Sequence, residues 1–314
     1  MRESTSARGP LPRATGVVDS LSAGFGVVNE KPWIILFPVL LDLFFLFGPR
    51  VSIAPLVSQF ATQPAFTRAF GPDAAAPTIA FAEEANLLGL LSPASMTLPA
   101  IVPVLGIGRG AFTFVDSAGL AVLIALGSML VGAVLGCVYR VLIAQQARDG
   151  MTSVREIPSQ AVVALYRVVT LVVLLFAVGI GVMLPLAFIA AVASMVTAAA
   201  TALMTAVMAT MVLVAQLYLF FAPDAIFISR VGPLRAIRQS AAVVQAGVWS
   251  ALTLAILITV ILIGLGQIWT LLASQASWGL ALGIVGNAYI ASALVAASMA
   301  FYRERMELLL AQRS

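Results

Sequence analysis

Residues 168–223 read VVTLVVLLFAVGIGVMLPLAFIAAVASMVTAAATALMTAVMATMVLVAQLYLFFAP, without one charged side chain. A helix needs about 20 apolar residues to cross a bilayer, so this run is long enough for two crossings. Outward from it, uncharged runs cover 239–302 and 117–139, and a further run at 32–49 is interrupted only by Asp42. The run at 239–302 also has room for two crossings. Six transmembrane helices are therefore predicted, at about 32–48, 117–140, 162–188, 198–222, 248–272 and 278–301. The uncharged gaps near 190–197 and 273–277 read as tight hairpin turns. The expected fold is an all-α polytopic membrane helix bundle, built as three hairpins.

Composition agrees. Apolar residues make up 61% of the chain and charged residues 10%, with a mean hydropathy of +1.07. A soluble domain carries about 25% charge, so too little polar surface is available here to face water on all sides. The net charge is +4, and every basic residue except Lys31 is arginine. That balance fits loops beside anionic lipid headgroups more simply than it fits nucleic acid, which is not expected as a partner. The lone Cys137 lies inside an apolar run, so no internal disulfide is possible. The first apolar run begins near Pro32, and no small-residue cleavage pattern follows Phe47, so it reads as a retained span rather than a signal peptide.

The arginines supply an orientation. With the N-terminus inside, the inner side receives Arg2, Arg8, Arg13, Lys31, Arg140, Arg148, Arg155, Arg167, Arg230, Arg235, Arg238, Arg303, Arg305 and Arg313. The outer side receives only Arg50, Arg68 and Arg109. This positive-inside bias predicts a multi-pass protein of the cytoplasmic (inner) membrane with both termini cytoplasmic. Residues 1–16 are expected as a flexible tail, 303–314 as a C-terminal cytoplasmic tail, and 49–116 as the one long outer loop. That loop reads either as a cap on the helix ends or as a re-entrant segment.

Two segments repeat. Val18, Leu21, Phe25 and Val28 recur at 3-4-3 spacing, which places them on one helix face. Leu234, Ile237, Ala241 and Val244 do the same, and aligning Trp33 with Trp249 superposes all four positions. Each is expected to be an amphipathic interfacial helix ahead of a two-span hairpin. A third copy before the 162–188 span is interrupted by Pro158 and Ser159. Arg230, Arg235 and Arg238, around the second copy, are candidate contacts for anionic lipid.

Among polar residues, Asp42 is the sharpest candidate. An ionisable group near mid-bilayer costs several kcal/mol unless it is paired, hydrated or neutralised, and such groups mark internal polar sites. Asn287 lies at a similar depth as a candidate hydrogen-bond partner, and Gln216 and Gln267 are the other mid-span polar groups. Asp224, after Phe220-Phe221-Ala222-Pro223, is placed to cap a short helix over 225–230. The stretch Gly106-Ile107-Gly108-Arg109-Gly110 lacks the strand, helix and downstream acid of a nucleotide fingerprint. Gly132 and Gly136, and the tract Ala198–Ala202, suit close helix packing or dimerisation. The chain has no histidine, which excludes a Ser-His-Asp triad and any histidine-bearing zinc site. An intramembrane aspartyl protease needs two acids at depth, and only Asp42 qualifies.

The pattern Ser20-Leu21-Ser22-Ala23-Gly24-Phe25, Lys31-Pro32-Trp33, Asp224-Ala225-Ile226 and Gly232-Pro233-Leu234-Arg235-Ala236-Ile237-Arg238-Gln239-Ser240 resembles a broad group of uncharacterised prokaryotic six-helix membrane proteins. It is similar to the membrane domain attached to some glycerophosphodiester phosphodiesterases. The resemblance implies a hairpin-repeat bundle without the phosphodiesterase's catalytic domain, so no catalytic residue carries over. The expected function is a non-enzymatic accessory, scaffold or lipid-associated bundle. No cofactor and no metal are expected, and the expected partners are membrane lipids, with a protein partner or a second copy of the chain as a further candidate. The alternative is a small transporter or permease-like protein with a polar site near Asp42.

Overall fold

The computed structural model describes residues 16–92, 98–195, 197–275 and 277–312, so the tail at 1–15, with Arg2, Arg8 and Arg13, and also Arg313 lie outside the described residues. The chain opens with α1 (Val17–Glu30), a 3-10 turn over Pro32–Ile35 and α2 (Leu36–Phe47). The segment that follows holds short helices α3 (Ala54–Ala61), α4 (Pro64–Phe70), α5 (Ala75–Glu84) and α6 (Val102–Leu105). Its ends are joined by two short parallel strands, β1 (Arg50–Ser52) and β2 (Phe112–Phe114), with Val51 opposite Thr113. The long helices come next: α7 (Ala118–Asp149), α8 (Ile157–Ser194) and α9 (Ala198–Leu219). After α10 (Ala222–Ile228) and α11 (Pro233–Ala246) the chain closes with α12 (Val248–Gln275) and α13 (Ser277–Ala311).

Among the described residues, five helical stretches are long and apolar enough to cross a membrane: Ala118–Asp149, Val154–Ser194, Ala198–Ile228, Val248–Ala273 and Trp278–Ala311. The expected first span is different. Pro32–Phe47 is apolar but shorter than a bilayer requires. The 3-10 turn Leu87–Leu91 packs on α7 so closely that a Cβ on Gly132 would sit 2.2 Å from the Leu91 carbonyl oxygen. Gly132 is about 14 residues into α7, roughly 21 Å along its axis. The segment after α2 therefore packs along the side of α7 well away from that helix's first turn. Gly132 thus serves packing within the chain. The residues expected as a C-terminal tail also differ, because α13 continues without a break to Ala311.

The two repeats coincide closely. Both α1 and α11 have 14 residues, and the 216-residue offset maps one onto the other. The residues capping their N-termini, Gly16 and Gly232, have φ/ψ of −73°/168° and −74°/166°. The buried positions correspond as well: Ser20, Gly24 and Val28 in α1 match Ala236, Ser240 and Val244 in α11. This face overlaps the expected apolar stripe only in part: Val28 is buried and Leu21 and Phe25 are half-buried, but Val18 is 74% exposed. The reason is close approach. A Cβ on Gly24 would lie 2.3 Å from the Ala293 carbonyl oxygen and 2.6 Å from the Ala297 amide, so α1 packs backbone to backbone on α13. Larger side chains are kept off that seam. Asn29, further along α1, accepts a 2.8 Å hydrogen bond from Tyr289, so α1 runs antiparallel to α13. Only a 3-10 turn, Val154–Glu156, stands before α8, which begins at Ile157 and absorbs the third copy in its first turns.

Burial is uneven. Residues 139–146 of α7 are buried on every side, packed among α8, α10 and α13. By contrast α9 has no buried residue, and the apolar window of α8 has none either. In the Ala198–Ala202 tract, at the start of α9, Ala200 and Thr201 are half-buried and the other three residues exposed, so none of the five is buried. The most completely buried stretch thus sits at the end of the bundle marked by Arg140, Arg167 and Tyr302, here termed the basic end, and the buried cluster extends from it to Phe45, Ile101 and Trp269.

Gly24→Leu should separate α1 from α13 and destabilise the fold by about 1–3 kcal/mol, read as a lower thermal midpoint in detergent. Gly26→Ala, which meets nothing within 4 Å, should leave the midpoint unchanged or raise it slightly.

Candidate functional site

Asp42 is fully buried on α2, and its Oδ1 accepts hydrogen bonds from the backbone amides of Ile101 and Val102, both at 2.8 Å. These amides open α6, so Asp42 acts across the fold as that helix's N-cap. The expected Asn287 is not its partner. Asn287 is half-buried on α13, while Gln216 and Gln267 are exposed on α9 and α12. The four residues do not form one polar cavity. Oδ2 of Asp42 has no hydrogen-bond partner among the described residues. The glycine-rich stretch beside it is likewise structural. A Cβ on Gly110 would lie 1.7 Å from the Gly48 carbonyl oxygen, and the Arg109 amide donates to Leu46 at 2.7 Å. Glycine lets this strand of chain close over the end of α2. Arg50 then ties the segment together, donating to the Gly108 and Glu84 carbonyls at 3.1 Å with its guanidinium 3.9 Å from the Phe112 ring centroid.

The densest polar cluster lies at the basic end. Asp224 is the third residue of α10, not the cap of a helix that begins after it, and it turns into the core. Its Oδ1 lies 3.8 Å from Nη1 of Arg140, and its Oδ2 accepts from the Ser298 hydroxyl. A capping role fails because α10 starts earlier, at Ala222, and Pro223 occupies its first turn. Arg140 also lies 5.9 Å over the Phe227 ring. Nearby, Tyr139 donates to Ser292 at 2.7 Å, and the Tyr302 hydroxyl bridges Ser229 at 2.8 Å and Gln239 at 2.9 Å. Ser240 bonds the Tyr218 carbonyl at 2.6 Å and the Phe221 amide at 3.1 Å, stitching the break between α9 and α10. Sequence reading missed Arg140, Ser298 and Tyr302 as a group. The available signal was an arginine directly ending an apolar run and serines spaced six apart on α13.

Beside this cluster, α7, α8 and α10 enclose a cleft of about 240 Å³. Its polar residues are Ser159, Gln160, Arg167 and Arg230, and its walls include Val141, Val163, Ala164, Ile226 and Phe227. Of the three arginines expected at lipid, Arg230 lines this cleft, whereas Arg235 and Arg238 are exposed on α11 and do not. Arg167 was not singled out by the sequence. Among the described residues no three of Cys, Asp and Glu gather as a metal site.

No protein-family model, curated protein or solved structure matches the chain, so its resemblance to the phosphodiesterase-linked membrane domain rests on the quoted motifs alone.

Asp42→Leu should leave the Ile101 and Val102 amides unpaired, at roughly 1–3 kcal/mol for each. Asp42→Asn keeps an acceptor oxygen. The leucine variant should therefore unfold at lower temperature and expose residues 98–110 to protease, while the asparagine variant stays near the parent. At the basic end, Arg140→Met or Asp224→Leu alone should cost about 3–5 kcal/mol by stranding a buried charge. The double variant should recover a large part of that loss in a double-mutant cycle.

Proposed function

We propose that this chain is a six-crossing protein of the cytoplasmic membrane that serves as a non-enzymatic accessory or scaffold bundle in contact with lipid. Both termini are assigned to the cytoplasmic side, where the basic end faces. The observation that carries this reading is the contrast between the packed basic end and the α8–α9 hairpin. Phe176, Leu184, Phe188, Leu203 and Leu213 are each about two-thirds exposed, so the hairpin beyond the first turns of α8 meets little of its own protein. Apolar surface of that extent is stable only against acyl chains or another apolar protein face. The first crossing is assigned to Pro32–Phe47, with the segment packed along α7 filling the remaining depth. Fourteen basic residues on the assigned inner side against three on the outer support the orientation.

A transporter built around Asp42 is the second reading, favoured by the unpartnered Oδ2. Against it, Oδ1 is committed to holding α6, and Gln216 and Gln267 lie elsewhere. Reconstitution into proteoliposomes separates the two. The scaffold reading expects a phospholipid or a protein partner retained on native mass spectrometry, no solute flux, and both termini digested by protease from one side. Substrate flux abolished by Asp42→Asn would replace it with the transporter reading.

A further inference from the structure

We infer that the cleft between α7, α8 and α10 binds the phosphate-bearing headgroup of an anionic phospholipid. The inference rests on the lipid-contact half of the proposed function and locates it at Arg167 and Arg230.

Three observations carry it. First, two guanidinium groups from separate elements meet at one cleft, Arg167 from α8 and Arg230 from the link between α10 and α11. Neither is held in a salt bridge among the described residues. Asp149, whose field reaches Arg230, is already paired with Arg148 at 2.5 Å. Glu156, beside the first turn of α8, is bonded by Gln160 at 2.7 Å. Asp149 is thus committed to Arg148, and Glu156 is solvent-exposed and bonded by the Gln160 amide rather than by either arginine. Guanidinium groups pair with phosphate oxygens through short, charge-assisted bonds.

Second, the cleft is amphipathic in the sense that a lipid requires. Arg167 is the last charge before the uncharged run that starts at Val168. Ser159 and Gln160 lie two turns before Arg167 on the polar side, while Val163, Ala164, Ile226 and Phe227 give apolar wall. A free phosphate ion would use only the polar residues, whereas a phospholipid uses both. The occupant assigned here is therefore the lipid.

Third, Arg230 has φ +51°, and it is the one residue other than glycine with positive φ among the described residues. An L-residue in the left-handed region costs roughly 1–2 kcal/mol, and glycine would remove that cost. Arginine here gives up stability, and its side chain is exposed at the cleft, where folding gains little from it.

The third observation provides a test in which folding and binding move in opposite directions. Native mass spectrometry is run on the full chain in mixed micelles of detergent, phosphatidylglycerol and phosphatidylcholine. The wild type should retain phosphatidylglycerol in preference to phosphatidylcholine. Arg230→Gly should keep or raise the thermal midpoint yet lower phosphatidylglycerol retention about tenfold, the loss of one strong charge-assisted contact. Arg167→Gln should lower it similarly, and Arg235→Gln, outside the cleft, should not. Millimolar glycerol phosphate should compete weakly; full displacement by it would overturn the assignment to lipid in favour of a soluble phosphate. Equal retention by wild type, Arg230→Gly and Arg167→Gln would overturn the cleft as the site while leaving lipid contact elsewhere intact. Retention of neither lipid by the wild type would remove lipid contact and the cleft together.

Discussion

A polar group that leaves water must find its partner inside the protein, and two aspartates carry that requirement here. Asp42 accepts two backbone amides at the start of α6, so an irregular stretch of chain can lie against the helices without stranding its donors. Asp224 does the corresponding work at the basic end, where it draws Arg140 of α7 and Ser298 of α13 onto α10. Such a pair is weak evidence for stability in itself, since well-packed apolar groups can do as well. Its effect is to fix which helices meet. With α7, α10 and α13 joined, the most completely buried stretch forms at that end of the bundle.

Close approach of backbones is the second constraint. Gly24 lets α1 lie on α13, Gly132 admits the turn at Leu91, and Gly110 lets the chain close over Gly48. In an apolar surrounding the hydrophobic effect does not drive helices together, so contacts of this kind and buried hydrogen bonds carry the association. The repeat follows the same logic. Gly24 and Ser240 occupy one position in α1 and α11, but Gly24 makes room for a backbone, whereas Ser240 bonds the broken chain between α9 and α10. A shared frame has been put to two local uses.

These constraints separate a packed end from an apolar hairpin that meets little of its own protein. The cleft of Arg167 and Arg230 lies where α8 passes from its polar first turns to its uncharged run. That position brings charge and apolar wall within reach of one amphipathic molecule, and so links the bundle's packing to the lipid contact proposed for it.

The long spans were legible because their signal is local. About 20 uncharged apolar residues in a row state a membrane-crossing helix regardless of neighbours, and α7, α8, α9, α12 and α13 follow. The boundaries of α1 and α11 were legible for a related reason, since glycine and Lys31-Pro32 punctuate the chain. Asp42 could be recognised as a costly residue, because its cost depends on depth alone. Its partner could not, since Ile101 and Val102 are about sixty residues away and offer backbone amides that any sequence possesses. The same holds for Arg140, Asp224 and Ser298, which lie on three different elements, and for Arg167 opposite Arg230. By itself the sequence determined which segments prefer lipid, because transfer from water is a property of each residue. Only the tertiary structure decided which polar groups meet, because pairing depends on distances that the chain's order does not contain.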